Sequence, residues 1–113
     1  MSTIYHNPRC RKSRETLQLL EAHGQQPQIV LYLEQPPTAA ELQDLLHKLG
    51  MEPMQLIRKG EAVWKEQFKG KTLSNKELIQ AMIAHPKLIE RPIVVNGDKA
   101  ALGRPPEQVL AIF

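Results

Sequence analysis

The sequence predicts one α/β domain built on a four-stranded mixed sheet with helices on its faces. Three observations predict it. The first 33 residues read in β-α-β order. An Ile-Val-Val run near the C-terminus meets an Asn-Gly hairpin signal. Helical patterns fill the stretch between them.

Thr3-Ile4-Tyr5 is β-prone and stops at the breakers Asn7-Pro8. From about Arg11 to His23 the spacing predicts a helix. Leu17 and Leu20 share a face, Leu19 supports it, and Gly24 closes it. Gln28 to Leu33 is a nearly continuous apolar run, which predicts a strand covered on both faces. Gln35-Pro36-Pro37 ends it.

Thr38 and Glu41 form a capping box at the start of a second helix. Leu42, Leu45, Leu46 and Leu49 give that helix its apolar stripe, and Gly50 closes it. Pro53 suits the first turn of a short helix through Met54, Leu56 and Ile57. Another is expected over Ala62 to Phe68, with Trp64 and Phe68 one turn apart. Ser74 and Glu77 repeat the capping box before a helix with Leu78, Ile79, Met82 and Ile83 inward, ending at His85-Pro86.

After Arg91-Pro92, Ile93-Val94-Val95 is a strand. Asn96-Gly97 turns the chain, Asp98 extends the turn, and Lys99 to Leu102 returns antiparallel. Arg104-Pro105-Pro106-Glu107 opens a last helix with Val109, Leu110, Ile112 and Phe113 apolar. A βαβ unit followed by a hairpin and helix is a thioredoxin-like arrangement, here with a helical insertion at about 38–70. No repeat, low-complexity stretch or linker divides the chain, so a single domain over 1–113 is expected.

Composition narrows the function classes. At 113 residues, with 42% hydrophobic and 24% charged side chains, the chain can bury a core without disulfides or metal. No apolar run reaches the roughly 20 residues a membrane helix needs, and the first residues lack a signal-peptide pattern. A net charge of +3 is too mild to imply nucleic-acid binding. With one cysteine, no internal disulfide is possible, which suits a reducing cytoplasm. His6, His23, His47 and His85 lie too far apart for a zinc pattern, so no metal site is expected.

Cys10 is the candidate nucleophile. It sits where the loop after the first strand enters the first helix, and free amides at a helix N-terminus favour an anion. Arg9, Arg11, Lys12 and Arg14 surround it, and cations lower a thiol pKa. Such a cluster opposes the helix dipole unless an anion sits at its centre. Ser13 lies three residues on, within reach of the sulfur or a bound anion. The plainer alternative is a small buried cysteine beside a solvated charged face.

The segment His6-Asn7-Pro8-Arg9-Cys10-Arg11-Lys12-Ser13-Arg14 resembles the glutaredoxin-coupled arsenate reductase family. So do Leu31-Tyr32-Leu33-Glu34 with Pro36-Pro37, Leu56-Ile57-Arg58-Lys59, His85 through Val95, and Gly103-Arg104-Pro105-Pro106-Glu107. The resemblance runs through nearly the whole chain and is nearest to the short members of the family. It implies a thioredoxin-like fold and reduction of arsenate to arsenite by the Cys10 thiolate. Glutathione is implied as co-substrate and glutaredoxin as partner, with no bound cofactor.

By the same resemblance Arg58, Arg91 and Arg104 hold the oxyanion, which suits the planar donor fork of arginine. His6 sets the charge state of the thiol, and Pro92 is the cis-proline facing it. Each arginine also has a plainer reading as an exposed side chain. Gly103 stands where the family often has cysteine, which removes any auxiliary thiol. Two other functions share this fold: a glutathione-dependent thiol transferase without arsenate chemistry, and an Spx-like RNA polymerase-binding regulator. Many Spx-like proteins carry a Cys-x-x-Cys switch, absent here because position 13 is serine.

Overall fold

A computed structural model describes residues 2–113; Met1 lies outside the described residues. The chain forms two compact units. One takes the residues up to Gln35 together with Arg91–Phe113, and the other is Pro36–Glu90.

The first unit holds the sheet. Strand β1 is Ser2–His6, helix α1 is Arg11–Ala22 and strand β2 is Gln28–Leu31. Strands β3, Ile93–Asn96, and β4, Lys99–Leu102, form the hairpin. The strand order is β2-β1-β3-β4. β1 pairs parallel with β2, and the other two ladders are antiparallel. This is the mixed four-stranded sheet that the element order predicts. Asn96 pairs with Lys99, so the turn is Gly97-Asp98. Gly97 takes φ 64°, the glycine-first pattern of a II′ hairpin.

Ile4, Leu20, Val94 and Val109 are fully buried together, with Leu17, Ala101 and Ile112 packed against them. Burying such a side chain contributes roughly 1.5–3 kcal/mol, so this cluster ties α1 and the C-terminal segment to the sheet.

Two expectations are corrected in this unit. β2 is not covered on both faces. It stops at Leu31, where the Glu34 and Gln35 amides both bond the Leu31 carbonyl at 3.0 and 2.9 Å. As an edge strand it leaves Gln28 and Ile29 exposed, a position that an apolar run cannot reveal. The C-terminal segment Pro106–Ile112 is a 3-10 helix, not an α-helix. It is short, and it follows two prolines that lack an N–H, so bonds close at i→i+3, as in Gln108 N–H to Pro105 O at 3.1 Å. On α1, Leu20 is fully buried and the half-buried Leu17 packs against the same cluster, as the spacing predicts, while Ser13 and Thr16 are buried as well.

The second unit is helical: α2 Ala39–Leu49, α3 Pro53–Leu56, α4 Ala62–Gln67, α5 Asn75–Ala84 and a 3-10 turn Pro86–Leu88. It reaches beyond the expected 38–70 because α5 and that turn belong to it. Both predicted capping boxes close, at Thr38/Glu41 and Ser74/Glu77. Leu42, Leu56, Met82 and Leu88 are fully buried, and Trp64 stacks on Phe68 at 5.6 Å. Ile83 is only half-buried, and Ala81 is buried instead. No helix among the described residues is long and apolar enough to cross a membrane.

Candidate active site

The site grows out of the turn between β1 and α1. Asn7 Oδ1 accepts the Arg9 amide at 3.0 Å, an Asx-type turn. Cys10 N–H bonds the Asn7 carbonyl at 3.0 Å. Cys10 is thereby the N-cap of α1, with extended backbone at φ −90° and ψ 123°. Its sulfur occupies the region where a capping oxygen normally sits, close to the Ser13 amide, without closing a full cap hydrogen bond.

Ser13 is fully buried and joins strand to helix. Its Oγ accepts the Asn7 N–H at 3.0 Å and lies 2.6 Å from His6 Nδ1. With Oγ serving as the acceptor for Asn7, its own proton is best directed at Nδ1, which leaves the His6 proton on Nε2. Burial lowers the His6 pKa, and the positive charge of Arg14 lowers it further. Both effects disfavour the charged imidazole, and the ring nitrogen holds Ser13 in place.

Arg91 and Arg104 bracket Cys10 from the hairpin. Arg104 Nη2 lies 3.4 Å from Cys10 Sγ, and Arg104 Nε donates to the Arg91 carbonyl at 2.7 Å. The strongest single influence on the thiol is burial, which raises its pKa. The Ser13 amide, a hydrogen bond from Arg91 and the charges of Arg91 and Arg104 outweigh burial, and the pKa falls below its ordinary 9.0. The thiolate is thus stabilised by groups from three separate segments.

The local basic cluster plays a smaller part than its crowding in sequence suggests. The exposed Arg11 pairs with the half-buried Glu15 at 2.9 Å. Arg14 donates to the Pro8 carbonyl at 2.9 Å and braces the loop. Neither is among the groups that shift the Cys10 pKa.

Arg58 belongs to the helical unit. Its amide bonds the Leu88 carbonyl at 2.7 Å, and Glu90 N–H bonds Leu56 O at 2.9 Å, a bridge that fixes the backbone. Its guanidinium lies 3.8 Å from both Glu61 and Glu90, loose ion pairs. Arg58 Nη1 is buried without a hydrogen-bond partner among the described residues.

The Arg91-Pro92 peptide is cis, and Pro92 is buried. A second cis bond, Arg104-Pro105, had no signal beyond the X-Pro pair itself.

Two contributors carry a weaker signal in the sequence. Asn7 marks the end of a strand, and Asn-Pro is also a turn signature. Gly103 stands in place of a thiol. Its N–H bonds the Pro92 carbonyl at 3.0 Å. A Cβ there would overlap Thr16 Oγ1 and stand 2.7 Å from Pro92 Cγ, so glycine is what fits. Among the described residues no group of three or more His, Cys, Asp or Glu could hold a metal ion.

A profile of the ArsC family matches residues 5–112. The chain is 58% identical over 111 residues to an Escherichia coli protein called YfgD, covering 96% of this chain and 93% of that one. It is 51% identical over 112 residues to an arsenate reductase of Haemophilus influenzae, with 97% of each chain covered. The solved structure of an arsenate reductase from Vibrio cholerae superposes with a TM-score of 0.96 at 52% identity. That superposition covers 99% of this chain and 97% of the other, and the thioredoxin-like fold follows from it.

Proposed function

The chain belongs to the ArsC family, and from that membership we propose that it is an arsenate reductase acting through the Cys10 thiolate, with glutathione and glutaredoxin as reductants. The observation that carries this reading is the pair of arginines on the sulfur: Arg104 Nη2 at 3.4 Å, and Arg91 hydrogen-bonded to it. Two cations there hold a nucleophilic thiolate and offer donors to an incoming oxyanion.

The thiolate attacks arsenic(V). An S–As bond forms, one As–O bond breaks, and the departing hydroxide takes a proton and leaves as water. Arsenic stays pentavalent. Glutathione displaces a second hydroxyl, again as water, so that arsenic carries both sulfurs. The glutaredoxin thiolate then attacks the glutathione sulfur. A disulfide forms, the S–As electron pair passes to arsenic, and arsenic(V) becomes arsenic(III). Water finally replaces Cys10 on arsenic, giving arsenite and the free thiol.

Arg91 and Arg104 neutralise the oxyanion as negative charge builds in the first step. Arg58 matches the family pattern, and on that sequence match alone it is proposed as a further oxyanion ligand.

Arsenite formation by purified protein tests the reading. With arsenate, glutathione and glutaredoxin all present the protein should turn over, and Cys10→Ser should not. Absence of arsenite from folded protein with a reduced Cys10 under those conditions rejects it.

A further inference from the structure

A second feature lies beside the loop that leads into Cys10. β1 has β3 on one side and β2 on the other. Arg91 enters β3 and Arg104 leaves β4, so the oxyanion donors come from the hairpin side. On the β2 side lies a cavity of about 300 Å³, within the size range of small-ligand pockets. The loop before Cys10 and the chain beyond β2 line it, including Asn7, Arg9, Leu31, Leu33 and Glu34. Arg9 immediately precedes Cys10.

The chemistry of this lining is specific. It has one cation, Arg9, one anion, Glu34, and an apolar wall of Leu31 and Leu33. Both charged residues are exposed, and among the described residues neither side chain is held in an ion pair. A bare oxyanion is disfavoured here by Glu34, and a neutral apolar ligand would strip water from two unpaired charges. A zwitterionic amino-acid head satisfies both, its carboxylate on Arg9 and its ammonium on Glu34, with aliphatic carbons along the leucines.

We propose that this cavity binds the γ-glutamyl head of the thiol co-substrate, so that its sulfur reaches the arsenic carried by Cys10 from the β2 side. The inference rests on the arsenate reductase reading and adds to it the residues that select the attacking thiol. Arsenate and thiol then occupy separate subsites flanking one sulfur, and neither has to leave before the other binds.

S-methylglutathione, which cannot react, is the probe. In an amide chemical-shift titration it should move Asn7, Arg9, Leu33 and Glu34 in a saturable way. Arg9→Ala and Glu34→Gln should each weaken its binding about tenfold, the loss of one charged hydrogen bond. The analogue lacking the α-amino group should bind wild type and Glu34→Gln equally. In turnover, Glu34→Gln should raise KM for glutathione while KM for arsenate stays the same. Shifts confined to the Arg91 and Arg104 side, or binding indifferent to both substitutions, would overturn the subsite. Because the titration needs no arsenate, saturable binding in a protein that makes no arsenite would remove the reductase reading and leave the subsite standing.

Discussion

Arg104 Nη2 lies 3.4 Å from Cys10 Sγ, although the two residues are 94 apart in sequence. Arg104 Nε is fixed at 2.7 Å on the Arg91 carbonyl, so the two arginines are positioned as a pair. Disturbing one therefore disturbs what the other presents to the sulfur.

The thiolate should be populated at lower pH than in an ordinary cysteine. The folded pKa is lowered from 9.0, so alkylation should rise with pH to a midpoint below that value. Arg104→Ala removes a stabilising cation and should move the midpoint up. Iodoacetamide reactivity at pH 7 should then fall roughly 3- to 10-fold. A midpoint unchanged in Arg104→Ala would mean that the Ser13 amide and Arg91 suffice.

Regeneration should require an external thiol. Cys10 is the only cysteine in the chain, so no internal sulfur can resolve an adduct. Arsenate without added thiol should give no catalytic turnover, and mass spectrometry should find at most one arsenic adduct per protein. Repeated turnover under those conditions would contradict the scheme.

Lysine should not replace the arginines. Arg58→Lys, Arg91→Lys and Arg104→Lys keep the charge but lose the planar fork. Arsenate or sulfate affinity should fall about tenfold in each, the equivalent of one charged hydrogen bond of ~1.5 kcal/mol. Isothermal titration checks it. An unchanged affinity in Arg58→Lys would remove that residue from the oxyanion site.

Acid should loosen the turn that holds Cys10. The His6 pKa is lowered in the fold, so between pH 6.5 and the folded value the unfolded chain binds more protons. Stability is therefore full above 6.5 and falls as pH drops through that window. His6→Gln should flatten this part of the profile in urea unfolding. Ser13→Ala strands the buried Asn7 amide and His6 Nδ1, and should cost about 2 kcal/mol.

Restoring a side chain at Gly103 should harm rather than help. Gly103→Cys places a Cβ against Thr16 and Pro92, and overpacking of this kind costs about 1–3 kcal/mol. Thermal unfolding should show the loss, and arsenite formation should not increase. A stable, more active Gly103→Cys would show that α1 can give way.

Local signals in the sequence determined most of the elements. Both capping boxes, the Gly97 turn, the Trp64–Phe68 stack and the loop-to-helix position of Cys10 depend on contacts a few residues apart, which spacing encodes. Sequence also marked Arg91 and Arg104, through their match to a known family. Tertiary structure decided the rest, because those outcomes depend on which distant segments become neighbours. An apolar run cannot state its place in the strand order, so β2 became an edge. Buried Ser13 on α1 looks like a surface residue until His6 and Asn7, from the strand and loop before the helix, meet its hydroxyl. Nor could sequence assign the work of lowering the thiol pKa. Coulomb interaction falls with distance and with solvent screening. Exposed Arg11 and Arg14, adjacent in sequence, therefore act elsewhere, while Arg91 and Arg104 are brought to the sulfur by the β3–β4 hairpin.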